Sequence, residues 1–253
     1  MTTLYFVRHG QSLSNLKTQF AGSLDTPLTE KGLAQADATA EFLTDVPFSI
    51  VYASDLDRAY RTGAAIAALH NVPIVAMSQL REIFAGEWEG KLYGELEELY
   101  ADSYSVWRQR IGCAVCPSGE SVKDLQVRIR TCVEEIVRRH PNETICIATH
   151  ATPIRVMECV WSNTPLAQMH TIPWVSNASV TIAVYDDNGC GRLVERDLHS
   201  HLGVLHTGLL SLWLCTALSS VRMAPLSTCA SVRTTTIPSS ASPICCPTWA
   251  ASR

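Results

Sequence analysis

The sequence predicts an α/β protein: a three-layer sandwich in which a mostly parallel sheet carries helices on both faces. Three observations point there. Short apolar runs alternate with helical patterns along most of the chain. Several helical patterns open on a capping residue or on a proline placed in the first turn. The chain has 253 residues, 47% of them hydrophobic, enough for one large domain with a real core.

The elements follow in order. The first apolar run, 4–7, ends in Arg8-His9-Gly10. Thr29 caps a helix running through Phe42 and Leu43. The second run, 49–53, gives way to Ser54-Asp55-Leu56-Asp57-Arg58, where an alanine-rich helix begins and continues to Leu69. The third, 74–76, precedes Leu80-Arg81-Glu82. Ser121-Val-Lys-Asp124 fits a capping box and opens a helix to about Arg139. The fourth run, 144–148, leads to His150, and Pro153 suits the first turn of a helix to Val160. Runs at 180–185 and 192–198 complete the strands. Strands alternating with helices favour parallel pairing and helices on both sheet faces.

The composition then shifts. No Asp or Glu follows Asp197, and Lys123 is the last lysine. Ser, Thr, Cys and Pro dominate from about Val204, as a change of reading frame or an alternative terminal exon would produce. Residues 1–203 therefore read as one domain. Residues 204–253 read as a low-charge, poorly ordered tail.

Net charge is −4 and the sequence pI is near 6.1, which argues against a nucleic-acid partner. No apolar stretch reaches the ~20 residues that span a bilayer; 208–218 comes nearest. No secretory signal is evident, so a cytoplasmic protein is expected, with its cysteines as free thiols. Cys113-Ala-Val-Cys116 lacks the second pair that a zinc site needs. His199, His201 and His206 cluster in sequence, but in loop-like surroundings with no carboxylate beyond Asp197, so neither group predicts a metal. His70 and His140 fall near helix C-termini, where a histidine suits the dipole.

Ligands of open α/β sheets bind beyond the carboxyl ends of the strands. Arg8, His9, Arg58 and His150 all follow strands, with Glu82 nearby. Such a cluster suits a phosphoryl group, because guanidinium forks match its oxygens. The segments FVRHGQS, SDLDRAYRTG, LREIFAGEWEG and THATPIR together resemble the histidine phosphatase superfamily, also called phosphoglycerate-mutase-like. They occur in that family's order and span most of residues 3–203. One departure is Ala151, where many members have glycine.

The resemblance implies a phosphoglycerate-mutase-like fold and a phosphohistidine intermediate. It implies that His9 is the nucleophile, that Arg8, Arg58 and His150 bind the phosphoryl oxygens, and that Glu82 exchanges the proton. It places Asn15, Gly22, Ser23 and Ala151 at the substrate, and it implies no cofactor and no metal. Glu87 is a close rival of Glu82 for the proton, and Glu89 a lesser one.

Two enzyme classes share such a site. The region between Glu82 and His150 spans 68 positions, short for a mutase lid, and does not match the mutase lid pattern. Its aromatic stripe of Trp88, Tyr93, Tyr100, Tyr104 and Trp107 reads as helix packing. A phosphomonoesterase acting on a small phosphorylated metabolite is therefore expected. A cofactor-dependent phosphoglycerate mutase is the first alternative, and a non-catalytic phosphate-binding protein the second. Substrate identity and oligomeric state are not written in the sequence.

Overall fold

The structure is a computed structural model that describes residues 1–206, with side chains described through Gly203. The proposed tail at 204–253 lies almost wholly outside the described residues.

Six strands form one sheet: β1 (Thr2–Arg8), β2 (Ile50–Ser54), β3 (Ile74–Met77), β4 (Thr144–Thr149), β5 (Val180–Tyr185) and β6 (Gly191–Leu198). Their order is β3-β2-β4-β1-β5-β6. The first four in that order pair in parallel, and β5 and β6 extend the sheet antiparallel. The mostly parallel expectation holds: three of the five strand pairings are parallel, and they carry the site.

Alternation along the strands sorts the core into two faces. Leu4, Phe6, Ile145 and Ile147 point to one side, where they join the larger core cluster. Val7 and Cys146 point to the other. The second side is covered by α2 (Glu30–Phe42) and α3 (Asp57–His70), which contribute Ala40, Ile66 and Ala67. The first is covered by α6 (Val122–Arg139) and α7 (Ala151–Trp161), through Ile129, Val133, Ile154 and Met157. The short α1 (Leu13–Leu16) follows β1, and α4 (Tyr93–Leu99) and α5 (Ala101–Gln109) lie between β3 and α6.

The caps agree with the sequence signals. Thr29 Oγ accepts the amide of Gly32 at the start of α2. Ser121 accepts the amide of Asp124 at the start of α6. The reciprocal arm differs from a full capping box: the Asp124 carboxylate accepts the Ser121 hydroxyl, not its backbone amide. Asn71 ends α3 with φ 52, a left-handed position that Asn tolerates.

Strand β4 is inserted between β1 and β2, so the carboxyl ends of all three open side by side. Arg8 and His9 leave β1 beside Thr149 and His150 leaving β4, and the His9 amide donates to the Thr149 carbonyl at 3.0 Å.

Candidate active site

His9 is buried, and its ring lies 5.1 Å from that of His150, edge to face. Its Nδ1 donates to the Gly10 carbonyl at 2.6 Å, which leaves Nε2 with the lone pair. Burial first, then Arg58 and Arg8, pushes its pKa well below 6.5, so the ring is neutral at physiological pH. Gly10 cannot be replaced freely: a Cβ there meets the Gly32 carbonyl at 2.3 Å.

His150 caps α7 and is fully buried. Its pKa is also pushed well below 6.5, first by burial and then by Arg58 and His9. Its Nε2 lies 2.9 Å from Ser54 Oγ, which itself accepts the Leu56 amide at 3.3 Å. Its other ring nitrogen, Nδ1, is buried without a partner.

Arg58 is 1% exposed. Its two terminal nitrogens donate to the carbonyls of Leu24 and Gly22, each at 2.8 Å, while its Nε is buried without a partner. Arg8 donates through Nη1 to the Val175 carbonyl, and its Nε is likewise orphaned. Burial lowers the pKa of both guanidiniums, opposed most by Glu82. Two buried guanidinium donors, Arg8 Nε and Arg58 Nε, and the ring nitrogen His150 Nδ1 therefore stand without partners. Buried donors left unpaired in this way argue for an anionic ligand.

Glu82 accepts the amides of Ile83 (2.8 Å) and Thr152 (3.2 Å), one on each carboxylate oxygen. It lines the same cavity as Arg8, His9, Arg58, Asn15, Gly22 and Ala151, a space of about 540 Å³. Its rivals stand elsewhere. Glu87 is exposed and accepts the hydroxyls of Tyr100 and Ser118. Glu89 accepts the amides of Ser23 and Ala85, and so ties down the loop that orients Arg58.

The Oδ1 of Asn15 accepts the Ser12 amide and hydroxyl and the Asn177 side chain, which leaves Nδ2 as its free donor end. Gly22 has φ +52, and an added Cβ would meet Ala85 and Glu89 at 2.7 Å. Ser23 is not brought to this cavity. It lines a neighbouring depression with Arg81 and Arg128, where its amide donates to Glu89 and its hydroxyl to the Glu82 carbonyl. Arg81 forms a two-bond pair with Asp55.

Several residues that hold the site together or border the cavity carry no motif. Asn177 bridges Asn15 Oδ1 to the carbonyls of His9 and Gly10. Ala178 beside it holds φ 57, and its amide also donates to the His9 carbonyl. The aromatic stripe is both packing and cavity wall. Trp88 is core, whereas Tyr93, Tyr104 and Trp107 also border the cavity, so helix packing alone does not describe them. His201 stacks on Phe42 and bonds Thr39. Cys113 is exposed and Cys116 buried, with the Cys116 thiol pushed up to about 12 by burial. Among the described residues no group of His, Cys, Asp and Glu is arranged to hold a metal ion.

Comparison with known proteins bears on the family and the fold. The sequence model described as "Histidine phosphatase superfamily (branch 1)" matches residues 4–199. Phosphoserine phosphatase 1 of Hydrogenobacter thermophilus is 29% identical over 203 residues, 80% of this chain and 95% of that protein. The 2,3-bisphosphoglycerate-dependent phosphoglycerate mutase 2 of Gloeobacter violaceus is 36% identical over 163 residues, 62% of this chain and 74% of that one. The solved structure of Bacillus stearothermophilus YhfR superposes with a TM-score of 0.77 at 32% identity, covering 80% of this chain and all of that one.

Proposed function

The chain belongs to the histidine phosphatase superfamily, and from that premise we propose that it is a phosphomonoesterase working through His9. The observation that carries the reading is the convergence of Arg8, Arg58 and Glu82 with a neutral His9 imidazole in one cavity.

The phosphoryl oxygens bind Arg8, Arg58 and His150, joined by Asn15 Nδ2. His9 Nε2 attacks phosphorus, forming the N–P bond as the ester P–O bond breaks. Glu82, protonated, gives its proton to the leaving oxygen. In the second step Glu82 as carboxylate takes a proton from water. The water oxygen bonds to phosphorus, the N–P bond breaks, and phosphate leaves with His9 neutral again. The arginines stabilise the charge on the transferring group. Ala151 and Gly22 shape the wall beside it.

The positive charge that neutralises the phosphoryl group comes from side chains, so the reaction needs no metal and no organic cofactor. Among the described residues no helix is long and apolar enough to cross a membrane. The proposed enzyme is cytoplasmic and acts on a small phosphorylated metabolite; a net charge of −4 offers little attraction to nucleic acid.

The mutase relative motivates a second reading, in which the phosphoryl group returns to another hydroxyl of the substrate. One experiment separates them. Phosphate release from a panel of phosphomonoesters is measured with and without EDTA, beside 3-phosphoglycerate with a bisphosphoglycerate primer. The phosphatase reading expects EDTA-insensitive release. Rapid formation of 2-phosphoglycerate makes the mutase reading correct, and no turnover of any kind leaves a phosphate-binding protein.

A further inference from the structure

The segment 172–178, which leads into β5, holds the site largely through its backbone. The Val175 carbonyl accepts Arg8 Nη1, and the Ala178 amide and the Asn177 side chain donate to the His9 carbonyl. Charged side chains fasten this segment in turn. Arg155, which also borders the cavity, donates to the Ile172 carbonyl. Arg196, paired with Glu158, donates to the Pro173 carbonyl at 3.1 Å. Asp197 takes the Ser176 amide on Oδ1 at 2.6 Å and the Ser176 hydroxyl on Oδ2 at 3.3 Å.

The Ser176 N–H and the Val175 C=O belong to one peptide unit. That unit is trans, so the two groups point in opposite directions. A carboxylate therefore stands at one end of the peptide and the Arg8 guanidinium at the other. A hydrogen bond to an ionised acceptor is roughly twice as strong as a neutral one. It also polarises the peptide, which makes the carbonyl a stronger acceptor for Arg8. Burial lowers the pKa of Arg8, and Asp197 is among the charges that oppose it.

The backbone of β6 is bent to deliver this carboxylate. Val180 pairs with Leu198 and Ile182 with Glu195, so Arg196 and Asp197 together oppose Thr181. That is a bulge. Asp197 holds φ 49 in it, and its amide donates to Thr181 Oγ at 3.3 Å. Consecutive residues of a regular strand point to opposite faces. Here both side chains reach the same segment, Arg196 at Pro173 and Asp197 at Ser176.

We propose that Asp197 is a positioning residue for the phosphoryl group: through the 175–176 peptide it holds the Arg8 guanidinium in its binding orientation. The proposal rests on the phosphatase reading for the role of Arg8.

The test is a double-mutant cycle between Asp197 and Arg8, read as kcat/KM for p-nitrophenyl phosphate. Asp197→Ala is expected to lower it at least about tenfold. Asp197→Asn, whose Oδ1 still accepts the amide but carries no charge, is expected to restore part of the loss. In the Arg8→Ala background, Asp197→Ala is expected to change kcat/KM by less than about twofold, because the group it orients is gone. A loss that repeats in full in Arg8→Ala overturns the proposal, since Asp197 then acts on the fold and not through Arg8. So does an Asp197→Ala enzyme as active as the wild type. If Asp197→Ala fails to fold, Asp197→Asn carries the same cycle, with a loss of roughly threefold expected beside Arg8 and none beside Arg8→Ala. If the wild type turns over no phosphomonoester, the phosphatase reading fails. The cycle is then read as affinity for inorganic phosphate by calorimetry, where independent losses, or no binding by the wild type, overturn the proposal.

Discussion

The His9 ring gives its Nδ1 proton to the Gly10 carbonyl and is kept neutral by burial and two guanidiniums, so its Nε2 is a ready nucleophile. Glu82 has to serve as acid in one step and base in the next. Its two oxygens are each held by one backbone amide, which fixes the carboxyl toward the cavity. Glu82→Gln keeps the shape and removes the titrating group. Hydrolysis of alkyl phosphates is expected to fall by about a hundredfold or more, while p-nitrophenyl phosphate, whose leaving group needs little help, loses far less. Steady-state kinetics on both substrates measure this, and equal losses point to a binding role for Glu82. Arg8, His9 and His150 were legible because they stand at strand ends: Arg8 closes β1, His9 follows it, and His150 follows β4. Asn177 and Arg155 were not singled out. Asn177 comes from the loop before β5 and meets His9 only through the antiparallel addition of that strand. Arg155 shows its cavity position only once α7 is set in register with Ala151.

The loop between α1 and α2 is the element that aims Arg58. The carbonyls of Gly22 and Leu24 hold its terminal nitrogens, and Glu89 anchors the same loop through the Ser23 amide. Gly22→Ala puts a Cβ into Ala85 and Glu89 at a positive φ. It is expected to cost about 1–3 kcal/mol and to lower kcat/KM more than a remote change of equal destabilisation. Thermal unfolding and kinetics on the same sample check it; unchanged kinetics would mean the loop does not aim Arg58. The strands and long helices were legible from periodicity and caps, to within one or two residues. The role of Ser23 was not. Its sequence neighbour Gly22 faces the cavity, but alternate residues of an irregular loop turn to opposite sides, and Glu89 decides which.

At the scale of the molecule, His9 and His150 link pH to stability. Their folded pKa values are depressed below the ordinary 6.5. Below that value the unfolded chain binds more protons than the folded one, so stability is fully present above it and is lost as pH falls toward the folded pKa values. The midpoint of thermal unfolding is expected to drop between pH 7 and pH 5, with a shallower slope in His9→Ala. A slope unchanged by that substitution contradicts the assignment of neutral buried imidazole.

The carboxylate-free composition after Asp197 carries a separate expectation. A chain ending at Gly203 keeps His201 on Phe42 and the whole site. Its turnover number is expected within about twofold of the full chain. Loss of folding or turnover would place residues 204–253 in the domain.

The central claim is that phosphorus bonds to His9. Rapid quench with labelled phosphomonoester, followed by peptide mapping, tests it most directly. The expected result is acid-labile label on Nε2 of His9, formed and discharged fast enough to account for turnover and absent from His9→Ala. Turnover without any labelled protein, or label on His150 instead, would contradict the account.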